Sequence, residues 1–178
     1  MFQTKIVDLL VVGNWVLVAQ ADKVFPFNFE EDLRQSGFEQ GIKTNIQKRG
    51  LIDLYVDNHG AKIVVPSDDK NKKGYAHVIT IPNKLNIQKG EDGQLLKESQ
   101  GQDYYIDVTF TPDKKMYQII RFVKDGSMLA AATHDGKLLK FVSIKDGETD
   151  GGTLVQEVCR GKAPAQICSI SVKKLSEI

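Results

Sequence analysis

The sequence repeats one pattern three times: an apolar run, a polar turn, a second apolar run, another turn and a third run. The copies begin with the stretches KIVDLLVVGNW, LIDLYVDNHGA and YQIIRFVKDGS. Their first runs start near residues 6, 52 and 119, and a similar run starts near residue 167, so two of the three gaps are 46 and 48 residues. Groups of short strands that repeat about every 40–45 residues are typical of the blades of a β-propeller.

The third copy has the clearest turn signals between its apolar runs. Asp125-Gly126 and Asp135-Gly136 lie between its apolar runs. Such dipeptides favour tight hairpin turns, because glycine adopts positive φ without steric cost. These turns and the polar stretch after them separate four apolar runs: Gln118–Val123, Met128–Thr133, Leu138–Ile144 and Leu154–Val158.

We therefore predict an all-β fold, an incomplete WD40-like β-propeller. Its blades would span 1–50, 51–116 and 117–160, and 161–178 would supply the first strand of a further blade. The middle copy is longer because it contains a polar loop, Lys84–Gln102, before an outer strand at Tyr104–Thr111. We expect a short helix only near Asn28–Gln40.

Three blades are too few to close a ring around a channel of ordinary size, since known propellers have at least four. We therefore expect the chain to be a truncated product, a fragment, or one part of an assembly. Open faces on the terminal blades would make it poorly soluble or oligomeric.

Charge and composition exclude several classes of function. The chain has 24 Lys and Arg against 23 Asp and Glu, a net charge of +1, which gives no global field for nucleic acid. Cys159 and Cys168 lack the spacing of a metal site, and the three histidines lie far apart, so we predict no metal and no cofactor. No nucleophile elbow or phosphate loop is present, and we predict that the chain is not an enzyme.

The N-terminus resembles a signal peptide, because Lys5 precedes a long apolar run that ends in small residues. Asp8 inside that run and the Gly13-Asn14 turn favour a strand instead. A secreted β-domain stays an alternative only if this segment is cleaved. Otherwise the cysteine content is typical of a reduced, cytosolic protein.

Short motifs along nearly the whole chain resemble the PROPPIN family of seven-bladed propellers. The two most specific ones are DGSMLAAATHDGKLLKFV (Asp125–Val142), which is similar to the family's DGTLLATASEKGTLIRVF, and LVQEVCRGKAPAQICS (Leu154–Ser169), which is similar to LLQEFRRGSDRATIYS. Three shorter matches support them, at Val24–Phe29, Gly50-Leu51 and Ile63–Pro66. The resemblance implies that the chain corresponds to blades three to five and the first strand of blade six.

The resemblance also implies where a lipid headgroup would bind. The family's Phe-Arg-Arg-Gly signature, whose arginines serve two separate headgroup pockets, stands here as Val158-Cys159-Arg160-Gly161, so the first arginine is replaced by cysteine. Thr133 and Lys140 occupy the places of a hydroxyl and a basic residue of the first pocket. The implied phosphoinositide-binding residues are therefore Arg160, Gly161, Thr133 and Lys140.

As a member of this family, the chain would bind phosphatidylinositol 3-phosphate or its 3,5-bisphosphate and act in autophagosome formation and endolysosomal traffic. It would be cytosolic and peripheral on phagophore, endosomal or vacuolar membranes, with autophagy proteins at its blade edges and no nucleic acid. The alternatives are a protein-binding scaffold of the same fold with degenerate lipid pockets, or a non-functional fragment. Arg160 in a solvated turn and Thr133 as an ordinary β-favoured residue are the structural alternatives at the site itself.

Overall fold

The computed structural model describes residues 5–29, 41–68, 74–82, 105–110, 117–144 and 152–171. Within these ranges all regular structure is β-strand, with no helix. There is accordingly no helix in this part of the chain of a length and polarity that would cross a membrane. The helix predicted at Asn28–Gln40 falls largely on residues outside the described ranges, and so does the loop predicted at Lys84–Gln102; Asn28 itself ends a strand.

In the described ranges, twelve strands form three antiparallel sheets, each of which follows chain order from one edge to the other. Sheet 1 contains β1 (Ile6–Val12), β2 (Trp15–Gln20), β3 (Lys23–Asn28) and β4 (Ile42–Lys43). Sheet 2 contains β5 (Asp53–Asp57), β6 (Gly60–Pro66), β7 (Ala76–Pro82) and β8 (Tyr105–Phe110). Sheet 3 contains β9 (Ile119–Val123), β10 (Met128–Ala132), β11 (Leu138–Ser143) and β12 (Thr153–Cys159).

These sheets have the up-and-down order of propeller blades. Their first strands lie side by side, because β5 of sheet 2 contacts both β1 of sheet 1 and β9 of sheet 3. The two Asp-Gly dipeptides form the turns that flank β10, and both of their glycines have positive φ. The prediction of an incomplete propeller built from four-stranded blades is thus confirmed.

One hydrophobic core runs through all three sheets. Side chains alternate between the two faces of a strand, so Leu129 and Ala131 of β10 share one face with their cross-strand neighbours. That face packs against sheet 2, and the ring of Phe122 in sheet 3 lies 6.1 Å from the ring of Tyr55 in sheet 2.

Consecutive sheets are also joined by a repeated polar contact, which we call the boundary clamp. At the first boundary, the Gly50 N–H donates to Asp8 Oδ2 at 3.1 Å. At the second, the Phe122 N–H donates to Asp53 Oδ2 at 2.7 Å. Asp8 and Asp53 occupy the same place in the repeats IVDLL and LIDLY, so one sequence position joins each of these sheets to the following one.

Each boundary clamp includes an arginine that lies in, or a few residues before, the first strand of the later sheet. Arg49 Nε lies 3.4 Å from the Val7 carbonyl oxygen, and Arg121 Nη1 donates to the Ile52 carbonyl at 3.0 Å. In the third repeat, IIRFV, Arg121 itself stands at the position of the two aspartates. Sheet 3 therefore takes part in the clamp with sheet 2 but has no carboxylate at this position for a following sheet.

The two ends of the three-sheet array expose apolar side chains. Leu9 and Val11 of β1 are 55% and 61% exposed, and Leu154 and Val155 of β12 are 50% and 56% exposed. Beyond β12, residues 161–171 contain no strand, and 172–178 lie outside the described residues. The first strand of a further blade, predicted at 161–178, is therefore absent from the described part of that segment.

Candidate functional site

Arg160 follows β12 directly and lies beside the Asp135-Gly136 turn. Its main-chain N–H donates to the Lys137 carbonyl at 2.8 Å, which continues the ladder between β11 and β12 by one residue. The side chain is exposed. Nε donates to the Gly136 carbonyl and Nη2 to the Ala163 carbonyl, each at 2.8 Å.

These two bonds fix the plane of the guanidinium group without using all its donors. A guanidinium has five N–H groups in a rigid fork. Within the described residues, Nη1 of Arg160 makes no hydrogen bond, so Nη1 and the second N–H of Nη2 keep donors for a ligand. The edge that these two nitrogens form can donate two parallel, charge-assisted bonds to one phosphate.

Residues 163–167 are attached to sheet 3 at the same turn. The Ala165 N–H donates to the Asp135 carbonyl at 2.9 Å. Gln118, just before β9, donates through Nε2 to the carbonyls of His134 and Ala165 at 2.8 and 2.9 Å, and its Oε1 accepts the Ile167 N–H at 2.6 Å. A shallow open depression of about 470 Å³ lies here between the turn and the segment 164–166.

Gly136 is required at this contact. Its φ is +66°, and a Cβ at this position would lie 2.0 Å from the Ala165 carbonyl oxygen. By contrast, a Cβ on Gly161 would meet no heavy atom within 4 Å. Gly136 therefore allows the close approach of the two backbone segments, whereas Gly161 leaves open space beside Arg160.

Thr133 lies inside the turn between β10 and β11 and is 6% exposed. Its hydroxyl donates to Asp135 Oδ1 at 2.9 Å and accepts the Leu138 N–H at 3.1 Å. The Lys137 main-chain N–H also donates to Asp135 Oδ1. This hydrogen bond lowers the pKa of the Asp135 carboxyl, and the hydrogen bond from the Thr133 hydroxyl lowers it further. The Thr133 hydroxyl is thus engaged within the turn.

Lys140 lies on β11, opposite Ala131 on one side and Glu157 on the other. Its Nζ is 3.2 Å from Glu157 Oε1, and the lysine side chain is 22% exposed. An ion pair this close to solvent contributes about 0–1 kcal/mol. A phosphate could therefore compete for Lys140 with little loss of stability.

The four sequence-predicted residues do not form one cluster. Cys159 pairs with Leu138 two residues along β11 from Lys140, so Cys159 and Lys140 share a face. Arg160 is the next residue along the extended ladder, so strand alternation directs its side chain to the opposite face. Whether either set binds a headgroup stays a prediction; within the described residues, no group of His, Cys, Asp and Glu could hold a metal ion.

Similar folds are found among solved structures. No protein-family model and no curated protein sequence matches the chain. The structure of Kluyveromyces lactis Hsv2p is 17% identical to this chain in sequence and superposes with a TM-score of 0.62. The match covers 94% of this chain and 42% of that protein. KlAtg21, in its complex with the coiled coil of AgAtg16, is 16% identical, with a TM-score of 0.58 and coverages of 94% and 46%.

Both of these proteins are PROPPIN propellers. The chain has the β-propeller fold of these structures. A third match is a functionally unknown protein from Desulfotomaculum acetoxidans, 15% identical with a TM-score of 0.53, covering 92% of this chain and 45% of that one. The chain thus spans less than half the length of these three structures. Identities this low establish a common fold and leave the ligand to be proposed from the residues of this chain.

Sequence patterns did not single out Gln118 or Asp53 as structurally important. Asp53 has a detectable signal, because it and Asp8 are the acids that recur within otherwise apolar first strands. Burial raises the pKa of the Asp53 carboxyl; the Phe122 N–H and the Arg121 guanidinium, 3.8 Å away, act in the opposite direction. Gln118 has no counterpart in the other repeats, so only its contacts identify it.

Proposed function

We propose that this chain recognises the phosphorylated headgroup of a phosphoinositide, phosphatidylinositol 3-phosphate or its 3,5-bisphosphate, through Arg160. The observation that carries the proposal is an exposed guanidinium that two main-chain carbonyls hold in place through Nε and Nη2, while its Nη1 donors are not used within the described residues. Preorganisation of this kind lowers the entropic cost of binding. The likeness to Hsv2 and Atg21 supports the same class of ligand.

Recognition of this kind makes and breaks no covalent bond, which agrees with the expectation that the chain is not an enzyme. Lys140 and Thr133 would belong to the first pocket, which would bind more weakly because Cys159 replaces an arginine there. Membrane attachment would be peripheral, on autophagic and endolysosomal membranes.

Flotation with vesicles tests the proposal. Vesicles containing phosphatidylinositol 3-phosphate should retain the protein, and Arg160→Ala should abolish retention. Arg160→Lys should weaken it, because an ammonium lacks the planar fork. Lys162→Ala is the matched control, since it removes an exposed charge two residues away. Equal losses for Arg160→Ala and Lys162→Ala would indicate a diffuse charge effect and contradict a specific site.

A second candidate, a protein-binding scaffold, is favoured by the state of the first pocket. The Thr133 hydroxyl is engaged with Asp135, and Lys140 is paired with Glu157. The KlAtg21 structure contains a coiled coil of AgAtg16, so a propeller of this fold binds a helical autophagy partner. Retention of a coiled-coil partner by wild type and Arg160→Ala alike, with no dependence on phosphoinositide, would favour the scaffold.

A further inference from the structure

Arg160 and Gln118 join the same two pieces of backbone. Arg160 bonds to the Gly136 carbonyl on the turn and to the Ala163 carbonyl on the following segment. Gln118 bonds to the His134 carbonyl on that turn and to the Ala165 carbonyl on that segment. The two side chains therefore bridge one gap in parallel.

Gln118 makes more hydrogen bonds across this gap than Arg160 does. It makes three hydrogen bonds of 2.6–2.9 Å, as donor to both sides and as acceptor from the Ile167 N–H. Its position is fixed in turn, because its own N–H donates to the Ala132 carbonyl on β10 at 2.9 Å. Arg160, by contrast, is an exposed side chain at the end of an exposed strand.

We infer that Gln118 is the positioning residue for Arg160. By setting the separation between the 134–136 turn and the 163–167 segment, it places the Gly136 and Ala163 carbonyls where both can accept from one guanidinium. Gln118 itself does not touch the headgroup. The inference extends the proposed function, since it assigns to Gln118 the orientation of the phosphate-binding edge.

The inference has a spectroscopic test that does not depend on lipid. The Arg160 Nε–H, which donates to Gly136, should give a resolved and slowly exchanging signal in ¹H–¹⁵N spectra of the wild-type chain. Gln118→Ala should move that signal to the position of solvated arginines. Gln156→Ala, which removes an exposed glutamine from β12, is the control and should leave it in place.

Headgroup binding is measured separately, with soluble inositol 1,3-bisphosphate as the probe. Wild type should bind, and Gln118→Ala should weaken binding about tenfold, which corresponds to 1.4 kcal/mol. An unchanged Arg160 signal in Gln118→Ala overturns the inference, whatever the probe does. A shifted signal with no binding by wild type supports the positioning role and refutes the proposed function.

A further measurement on the wild type alone guards against a variant that fails to fold. The Ile167 N–H, which donates to Gln118 Oε1, should be protected from hydrogen exchange although no described strand contains it. Exchange of Ile167 at the rate of an unstructured peptide overturns the inference.

Discussion

The contact between Gly136 and Ala165 makes a sharp prediction about stability. In Gly136→Ala, the new Cβ would lie 2.0 Å from the Ala165 carbonyl oxygen, at a φ of +66°. A left-handed backbone costs a residue other than glycine about 1–2 kcal/mol. The clash must also be relieved by moving the 163–167 segment. Besides the Arg160 bond to Ala163, three hydrogen bonds hold this segment: Ala165 N–H to Asp135, Gln118 Nε2 to Ala165, and Ile167 N–H to Gln118.

Each of these hydrogen bonds contributes about 1 kcal/mol. Loss of two of the three, added to the backbone strain, lowers the free energy of unfolding by about 3–4 kcal/mol. Urea denaturation followed by the fluorescence of Trp15, the single buried tryptophan, measures the change. Hydrogen exchange at Ala165 and Ile167 locates it.

Gly161→Ala is the matched control. A Cβ there meets no heavy atom within 4 Å, so the change in unfolding free energy should stay within about 0.5 kcal/mol. Equal stabilities for Gly136→Ala and Gly161→Ala would refute the close approach of the turn and the segment. The basis for the orientation of Arg160 would then be lost as well.

Three further perturbations test other contacts. Burial raises the pKa of Asp53, so the protonated carboxyl stabilises the fold fully below pH 3.8, and this contribution is lost as the pH rises through the raised pKa. Over that rise, the free energy of unfolding of Asp53→Asn should therefore increase relative to that of the wild type. Urea titrations across pH 3.5–6.5 measure the difference, and the opposite trend would contradict the prediction. Tyr117→Phe should lose about 1 kcal/mol in thermal unfolding, because the fully buried hydroxyl donates to the Leu51 carbonyl at 3.1 Å; an unchanged melting temperature would argue against this bond. Cys159→Arg restores a charged fork beside the first pocket and should raise headgroup affinity about tenfold or more in the inositol bisphosphate titration; no gain would indicate that this pocket does not bind lipid.

Much of the fold follows from sequence, because each strand is a short apolar run that ends at a turn signal. The three repeats predicted the strands of sheet 3, and the outer strand predicted at Tyr104–Thr111 is β8. Phe25-Pro26-Phe27 lies in β3, which pairs with β2 on one side and with β4 on the other. The two residues of β4 pair only with Lys23 and Val24, so Pro26 lies beyond the end of β4, where no partner needs its missing N–H.

The site was less predictable, because its geometry depends on main-chain carbonyls. The motif placed Arg160 correctly after a strand, but no pattern indicates that Gly136 and Ala163 accept from its side chain. Thr133 was assigned a ligand role by resemblance, while the structure gives its hydroxyl a role in closing a turn. Sequence alone does not distinguish a polar side chain that hydrogen-bonds to the backbone from one that binds a ligand, when both lie at strand ends.

The boundary clamps make the three sheets non-interchangeable. Sheet 2 and the residues that precede it carry both halves of the clamp, the Gly50 N–H on one side and the Asp53 carboxylate on the other. Tandem copies of residues 49–110 would therefore satisfy every junction in an engineered array. Tandem copies of sheet 3 would set one Arg121 against another with no acid between them, and repulsion would favour separation of the units.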